Sequence, residues 1–467
     1  MSSAKGWLGG IAVVLLVVCV AAFILLRWVT GQRRNVAIAE VQALIAKHGI
    51  VARAPCASDS DKSATTPVSM DNAGEARALI DHLADVHTAL RNADNDGYIS
   101  CRTSVWRVYF ELSTPEELAA STVYADADAY LERSQELLKE VRRFALLAGS
   151  LLESEYSHDI KAFASHQQTY HELSVVLVAD AGKNLRAHRP LDAIEDIKSA
   201  NRLLAATASA PYMHSLLGAF DTFGLAFDLM EDSINAAQLT PQAIRDLAET
   251  LPSADVRDVA LRAAANESVG TEYFYDGLRS GKLTAEYLEV ADENRRSPDE
   301  AAIPQFAWRL LNRVYVSPLG EPWRSHEQGV EAQRAAAAIE AIARPYYEVI
   351  LGPDSYSDYF SRRGLSVPYG QVVRELAQYA AQARIAHIAI SLELYRSEHG
   401  QYPLSLDAIV ADNGGAAATD PFSGKPLRYQ LTENGFVLYS VGPNQKDDAG
   451  VARASDGEDD IVWRIGK

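Results

Sequence analysis

Only three cysteines, Cys19, Cys56 and Cys101, occur in 467 residues, and none forms a Cys-x-x-Cys. A zinc ribbon or a thioredoxin-type redox motif is therefore not indicated. The chain also lacks a glycine-rich phosphate loop and a Gly-x-Ser-x-Gly elbow, which removes the usual signals for nucleotide hydrolysis and for a serine nucleophile. Positive charge is scarce: 44 Lys and Arg face 62 Asp and Glu, for a formal net charge of −18. Binding to a phosphate backbone needs a clustered cationic excess, so a nucleic-acid partner is argued against. What is present is an ordinary globular composition, 48% hydrophobic and 23% charged, at a length that accommodates two or three domains.

One apolar run stands out, residues 7–26. Twenty such residues match the hydrocarbon thickness of a bilayer. The run is longer than a secretory h-region and passes straight through the weak cleavage signal at Ala21-Ala22-Phe23, so an uncleaved transmembrane anchor is expected over residues 1–34. Lys5 precedes the run and Arg27, Arg33 and Arg34 follow it, a count that favours a cytoplasmic C-terminal side. Cys19 lies inside the run as a small apolar filler. Cys56 and Cys101 then remain as an even pair. In an oxidising compartment a bridge between them would be worth about 3–4 kcal/mol on the loop-entropy estimate.

Residues 35–365 read as a helical domain. Asn35 opens a helix that Gly49 stops, and residues 54–72 read as a loop. Thr114-Pro115-Glu116-Glu117 and Ser297-Pro298-Asp299-Glu300 are capping boxes with proline at the first helical position, and Thr240-Pro241 marks another helix start. Beyond Pro190 the helical pieces are short and closely spaced, as in stacked helical hairpins of the tetratricopeptide kind, without that repeat's period or consensus. Candidate chemistry in this domain is thin. Asn92-Ala93-Asp94-Asn95-Asp96-Gly97-Tyr98-Ile99 follows part of a calcium-loop pattern, but Thr103 stands where the bidentate Glu is needed, so it reads as a polar turn. His166, His171 and Glu172, and the pair His82 and His87, miss the i, i+4 spacing that puts two ligands on one helix face, and read as surface histidines.

Residues 366–467 form the third segment. Ile385, Ile388, Leu392 and Tyr395 make one helix face, Gly400 ends the helix, and Tyr402-Pro403 sends the chain into extended backbone. After the turn Asp420-Pro421-Phe422-Ser423-Gly424 come a strand over 427–431, a hairpin turn at Thr432-Glu433-Asn434-Gly435, a returning strand over 436–440 and a third strand over 461–465. The fold class expected for the whole chain is mainly α: a transmembrane helix, an all-helical domain, and a small α+β module of one helix on an antiparallel sheet.

This last segment resembles the C-terminal half of the major pseudopilin of type II secretion. The resemblance is carried by Leu392, Tyr395, Gly400, Tyr402 and Pro403, by the Asp420–Tyr429 string, by Ser440-Val441-Gly442-Pro443-Asn444 and by the closing Asp460-Ile461. It implies a place outside the bacterial inner membrane, a periplasmic soluble part, and protein partners in a secretion or pilus-type machine. It also implies Ca²⁺ at the acidic loop, where Asn444, Asp447, Asp448, Asp456, Glu458, Asp459 and Asp460 cluster; the expected ligands are Asn444, Asp447, Asp459 and Asp460. Hard cations take six to eight oxygens from such loops. The chain departs from the family in lacking its acidic cleavage motif before the apolar run, and its module is far from that run, so it is not expected to polymerise. The function expected is that of a membrane-anchored interaction or scaffold component and not of an enzyme. A binding solenoid and a hydrolase with a site among the helices are the alternatives.

Overall fold

The computed structural model describes residues 2–52, 70–109, 114–149, 151, 160–210, 212–237, 239–286, 288, 305–349, 369–409, 418–451 and 460–466. Helices dominate: α1 (Ser2–Lys47), α2 (Met70–Ala93), α3 (Asn95–Tyr109), α4 (Pro115–Ala120), α5 (Val123–Arg133) and α6 (Gln135–Ala145). These are followed by α7 (Ile160–Arg186), α8 (Pro190–Ser209), α9 (Met213–Ala236), α10 (Pro241–Ala248) and α11 (Arg257–Arg279). Then come α12 (Gln305–Val316), α13 (Glu321–Ala343), α14 (Tyr346–Val349) and α15 (Tyr369–His399). Three strands close the chain, β1 (Arg428–Leu431), β2 (Phe436–Ser440) and β3 (Ile461–Ile465), in one antiparallel sheet of order β1-β2-β3.

The chain gathers into two compact units, and they do not follow the expected boundaries at 34/35 and 365/366. One unit joins α1 to the C-terminal part of α11, to α12 and to α13; the other joins α2–α10, the N-terminal part of α11, α14, α15 and the sheet. The sequence orders helices along the chain but says nothing of which apolar faces meet, and that is where the division is made.

In the first unit the C-terminal half of α1 lies along α13. Thr30, Ala37, Val41 and Leu44 are its buried face, opposite Ala332, Ala335, Ala336, Ile339 and Ile342. Small side chains let the backbones approach closely: a Cβ on Gly329 would stand 3.3 Å from the Arg34 Cα. Glu321, at the start of α13, collects the charges. It accepts from Arg279 Nε at 3.0 Å, Arg324 Nη2 at 2.8 Å and Ser325 Oγ at 2.8 Å, with Arg34 Nη1 at 3.5 Å. Burial pushes the Glu321 carboxyl up, but the Ser325 and Arg279 hydrogen bonds and the arginine charges outweigh it and hold it below its ordinary value.

Toward its N-terminus α1 runs uncovered. From Val17 to Trp28 every side chain but the half-buried Phe23 is exposed, on all faces of the helix. Among the described residues no helix is long and apolar enough to cross a membrane. The expected anchor is thus not shown; the side chains of residues 1–16, the first half of the apolar run, lie outside the described ones.

The second unit is built on α7, α8 and α9, joined by connections short enough to make them antiparallel neighbours. Val176, Leu177, Leu203 and Leu225 continue a core shared with Ile80, Tyr98, Tyr130, Leu138 and Phe144 of the preceding helices. The Thr114 capping box forms, and Thr240 Oγ1 accepts from the Ala243 N–H; the Ser297 box lies outside the described residues. The Asn92–Ile99 string is a helix junction. Asp94 Oδ1 accepts from the Gly97 N–H at 3.1 Å and its other oxygen pairs with Arg133, so Asp94 caps α3. Its carboxylate folds over Gly97 so closely that a Cβ there would collide with it.

The C-terminal module has the expected helix, ended by Gly400 (φ +75°), and the expected hairpin. It shares the core of the second unit. Trp463, fully buried on β3, meets Phe227 of α9 edge-on at 5.1 Å. Asn235, also on α9, donates to the Arg464 carbonyl at 2.8 Å and accepts from the Gly466 N–H at 3.0 Å, giving the free edge of β3 a hydrogen-bonding partner. On α15, Tyr379 packs against Phe220 and Phe223 and donates to the Ser253 carbonyl at 2.9 Å. Trp463→Ala is expected to lower stability by about 3–5 kcal/mol. Chemical denaturation should show helices and sheet lost in one transition; an early separate loss of the sheet would contradict the shared core.

Candidate functional site

The acidic turn after β2 is held by protein donors. Asp460, 4% exposed, accepts from the Gly450 N–H at 2.7 Å and the Asp448 N–H at 3.3 Å. Asp447 accepts from Tyr439 Oη at 3.0 Å, from the Ala449 N–H at 3.1 Å and from Arg428 Nε at 3.1 Å. Asn444 Oδ1 accepts from the Lys446 N–H, and its amide donates to Asp448 Oδ2 at 2.9 Å. Three of the four expected calcium ligands thus stand around one turn, each with a protein partner; Asp459 lies outside the described residues, as do Asp456 and Glu458. Among the described residues no group of three or more His, Cys, Asp or Glu is arranged to hold a metal ion.

The neighbouring motif residues act as fasteners. Asp420, 1% exposed, accepts from the Phe422 N–H (2.9 Å), Ser423 Oγ (2.7 Å), Ser440 Oγ (2.6 Å) and the Val441 N–H (3.3 Å). One carboxylate thus binds the Asp-Pro-Phe-Ser turn to the Ser440–Gly442 strand end. Glu393 does the same at the end of α15, accepting from Arg396 and from the Tyr402 hydroxyl. The residues that carry the resemblance are accounted for by the folding of the module itself.

Cys101 is fully buried in the core of the second unit with a free thiol, and burial pushes that thiol up to about 12. Its expected partner, Cys56, lies outside the described residues. Of the four histidines expected on the surface, His82 is exposed and His171 half-buried, whereas His87 and His166 are buried. His87, 1% exposed, lies 2.9 Å from Glu172, and buried His166 lies 2.8 Å from Asp81. Burial pushes the Glu172 carboxyl up, but hydrogen bonds from His87 and Gln168 with the Arg91 charge hold it at about 2. Helical periodicity in α2 and α7 places these polar groups on the faces that meet, which spacing within either helix alone does not reveal.

The feature absent from any sequence motif is a polar cleft of about 360 Å³ between α5–α6 and the α7–α8 hairpin. At its inner end Arg142 bridges two buried carboxyls, with Nη2 2.8 Å from Asp180 Oδ2 and Nε 2.7 Å from Asp196 Oδ1. Asn184 donates to Asp196 at 2.8 Å, and Lys183 pairs with Glu132 on the wall. Two carboxylates with one bridging cation leave a net negative charge where water is excluded. Burial, and then the Asp180 charge, push Asp196 up to about 7 against the pull of Arg142; burial raises Asp180 as well. The pair can therefore hold a proton near neutrality. No local pattern announces it, because Arg142, Asp180 and Asp196 come from three helices.

A carboxyl raised on folding binds its proton more tightly in the folded state. Its stabilisation is complete below the unfolded value and is lost as pH rises through the folded one. Asp221, pushed up to about 6 by burial beside Glu375, adds in the same sense, whereas half-buried His171 and His387, held low, act oppositely below neutrality. Asp196→Asn isolates the cleft: the fall in Tm between pH 5 and pH 8 should be smaller in the variant than in the wild type. An unchanged difference would mean that Asp196 does not titrate there.

Comparison of the chain with protein-family models, with curated proteins and with solved structures finds no match.

Proposed function

We propose that the protein is a single-pass membrane-anchored component of the bacterial envelope, with α1 as its anchor. Its two helical units would act as an interaction scaffold beside a secretion or pilus-type machine. The observation that carries this reading is the exposure of Val17, Val18, Val20, Ile24, Leu25, Leu26 and Trp28 around the whole circumference of α1. A protein-binding helix hides one apolar stripe, whereas one apolar on all sides suits a lipid environment. The residues before Val17 extend the same run to the length a bilayer needs. Full-length protein is expected to stay in the membrane pellet through an alkaline carbonate wash and to be released by detergent. Recovery of the intact chain in the washed supernatant would remove the anchor.

The periplasmic placement and the link to a secretion machine rest on the pseudopilin resemblance. Calcium at the turn near Asn444, Asp447, Asp459 and Asp460 also rests on the resemblance. Binding to the folded state alone stabilises by about 2.7 kcal/mol at a hundredfold excess over Kd. A rise in Tm of the detergent-solubilised chain with Ca²⁺, reversed by chelator, is the expected result. Identical melting curves would take the ion out of the reading.

The competing reading is a ligand- or substrate-handling site among the helices. The observation in its favour is the Asp180–Asp196 carboxyl pair at the inner end of the cleft.

A further inference from the structure

Within the first unit, α12 exposes apolar side chains among those described. Leu310, Leu311 and Val314 are exposed, Leu310 at 61%, while Asn312 and Tyr315 face inward. Leu319, in the 3-10 turn Pro318–Gly320, is 66% exposed, and Trp323 in the first turn of α13 is exposed as well. These five side chains are few for a stable protein interface, which takes about 20–30 residues a side.

The height of Leu319 and Trp323 relative to α1 is fixed by the α1–α13 contact. The Arg34 Cα abuts Gly329, while the Arg34 guanidinium reaches Ser325 and Glu321, earlier on α13. Helical side chains lean toward their own N-terminus, so the N-terminal end of α13 lies toward the N-terminal end of α1. Burial agrees: Ala332, Ala336 and Ile339 continue the buried face beside Ala37, Val41 and Leu44, whereas α1 before Trp28 is uncovered. The two helices therefore run in the same direction. Trp323 precedes Gly329, and Trp28 precedes Arg34, by the same number of residues, about 9 Å of helix at 1.5 Å per residue. Trp323 is thus level with Trp28, and Leu319 with the exposed apolar end of the run. Charge fits the same boundary. In a chain of net charge −18, Arg27 and Arg33 are exposed on α1 on either side of this level.

We propose that the Pro318–Gly320 turn and the first turn of α13 form a second membrane contact, seated in the headgroup layer of the bilayer that holds α1. Leu319 and Trp323 dip into the acyl boundary, and Arg27 and Arg33 meet anionic phosphates, as apolar and cationic side chains do at a bilayer interface. The contact fixes the tilt and rotation of the unit about its single anchor. It rests on the reading of α1 as the anchor.

The test uses the full chain, with Cys19 and Cys56 replaced by serine, reconstituted in vesicles of phosphatidylcholine and phosphatidylglycerol. An environment-sensitive fluorophore is placed through Leu319→Cys, through Val17→Cys as a report on the anchor, or through Val36→Cys, about 12 Å beyond Trp28 on α1. The Leu319 label should emit at shorter wavelength and lose about half its intensity to lipids spin-labelled near the headgroup. The Val36 label should keep its intensity. A quenched Val17 label with an unquenched Leu319 label overturns the second contact and leaves the anchor. Failure of both labels to quench overturns the anchor with it. A Leu319 label shielded without lipid quenching, and only at high protein density, means that a second copy covers the patch and also overturns the proposal.

Discussion

An apolar stretch of helix that the described residues leave almost wholly uncovered is the constraint from which the first unit follows. Between Val17 and Trp28 α1 offers nothing but apolar surface and one arginine, and beyond Thr30 it becomes an ordinary packed helix. That change within one helix requires a partner that begins abruptly, which α13 supplies. Gly329 and a row of alanines let the two backbones approach closely, so the packed half of α1 holds the direction of the exposed half. At the start of α13 Glu321 gathers Arg34, Arg279 and Arg324, tying three helices at one carboxylate. Removing the acid would leave the buried Arg324 without its charge partner, which costs more than the pair itself contributes.

The second unit solves a different problem, the burial of polar groups in an all-helical core. His87 with Glu172, His166 with Asp81, and Arg142 with Asp180 and Asp196 are each paired across helices. In the last group two acids share one arginine, and burial with the Asp180 charge pushes Asp196 up to about 7. In the module, Asp420 is fully paired by four donors within a single turn and strand end. The contrast is geometric: N–H and O–H donors can be packed around Asp420 by local turns, whereas α7 and α8 bring two acids together on opposing faces with one arginine to share.

Sequence motifs and sites therefore part company in this chain. The strings with the most recognisable spacing, Asp420–Tyr429 and Ser440–Asn444, are explained by how the module closes. The cleft with the most unusual electrostatics has no string at all. The acidic loop lies between these cases. The resemblance grouped Asn444, Asp447 and Asp460 in one loop, but the partners they take, Lys446, Arg428, Tyr439 and Gly450, were not predictable from it.

The helical class, the caps at Thr114 and Thr240, the stop at Gly400, and the hairpin register from Arg428 to Ser440 were all determined by local sequence. Each depends on φ/ψ preference, on a side chain reaching a backbone group three residues away, or on strict alternation. The grouping of α1 with α13, the docking of Trp463 on Phe227, the buried histidines, and the meeting of Arg142, Asp180 and Asp196 were decided by tertiary structure alone. Those depend on which apolar faces find each other across long stretches of chain. Local sequence specifies that a face is apolar; it carries no record of its partner, so contacts between distant helices become visible only when the whole core is assembled.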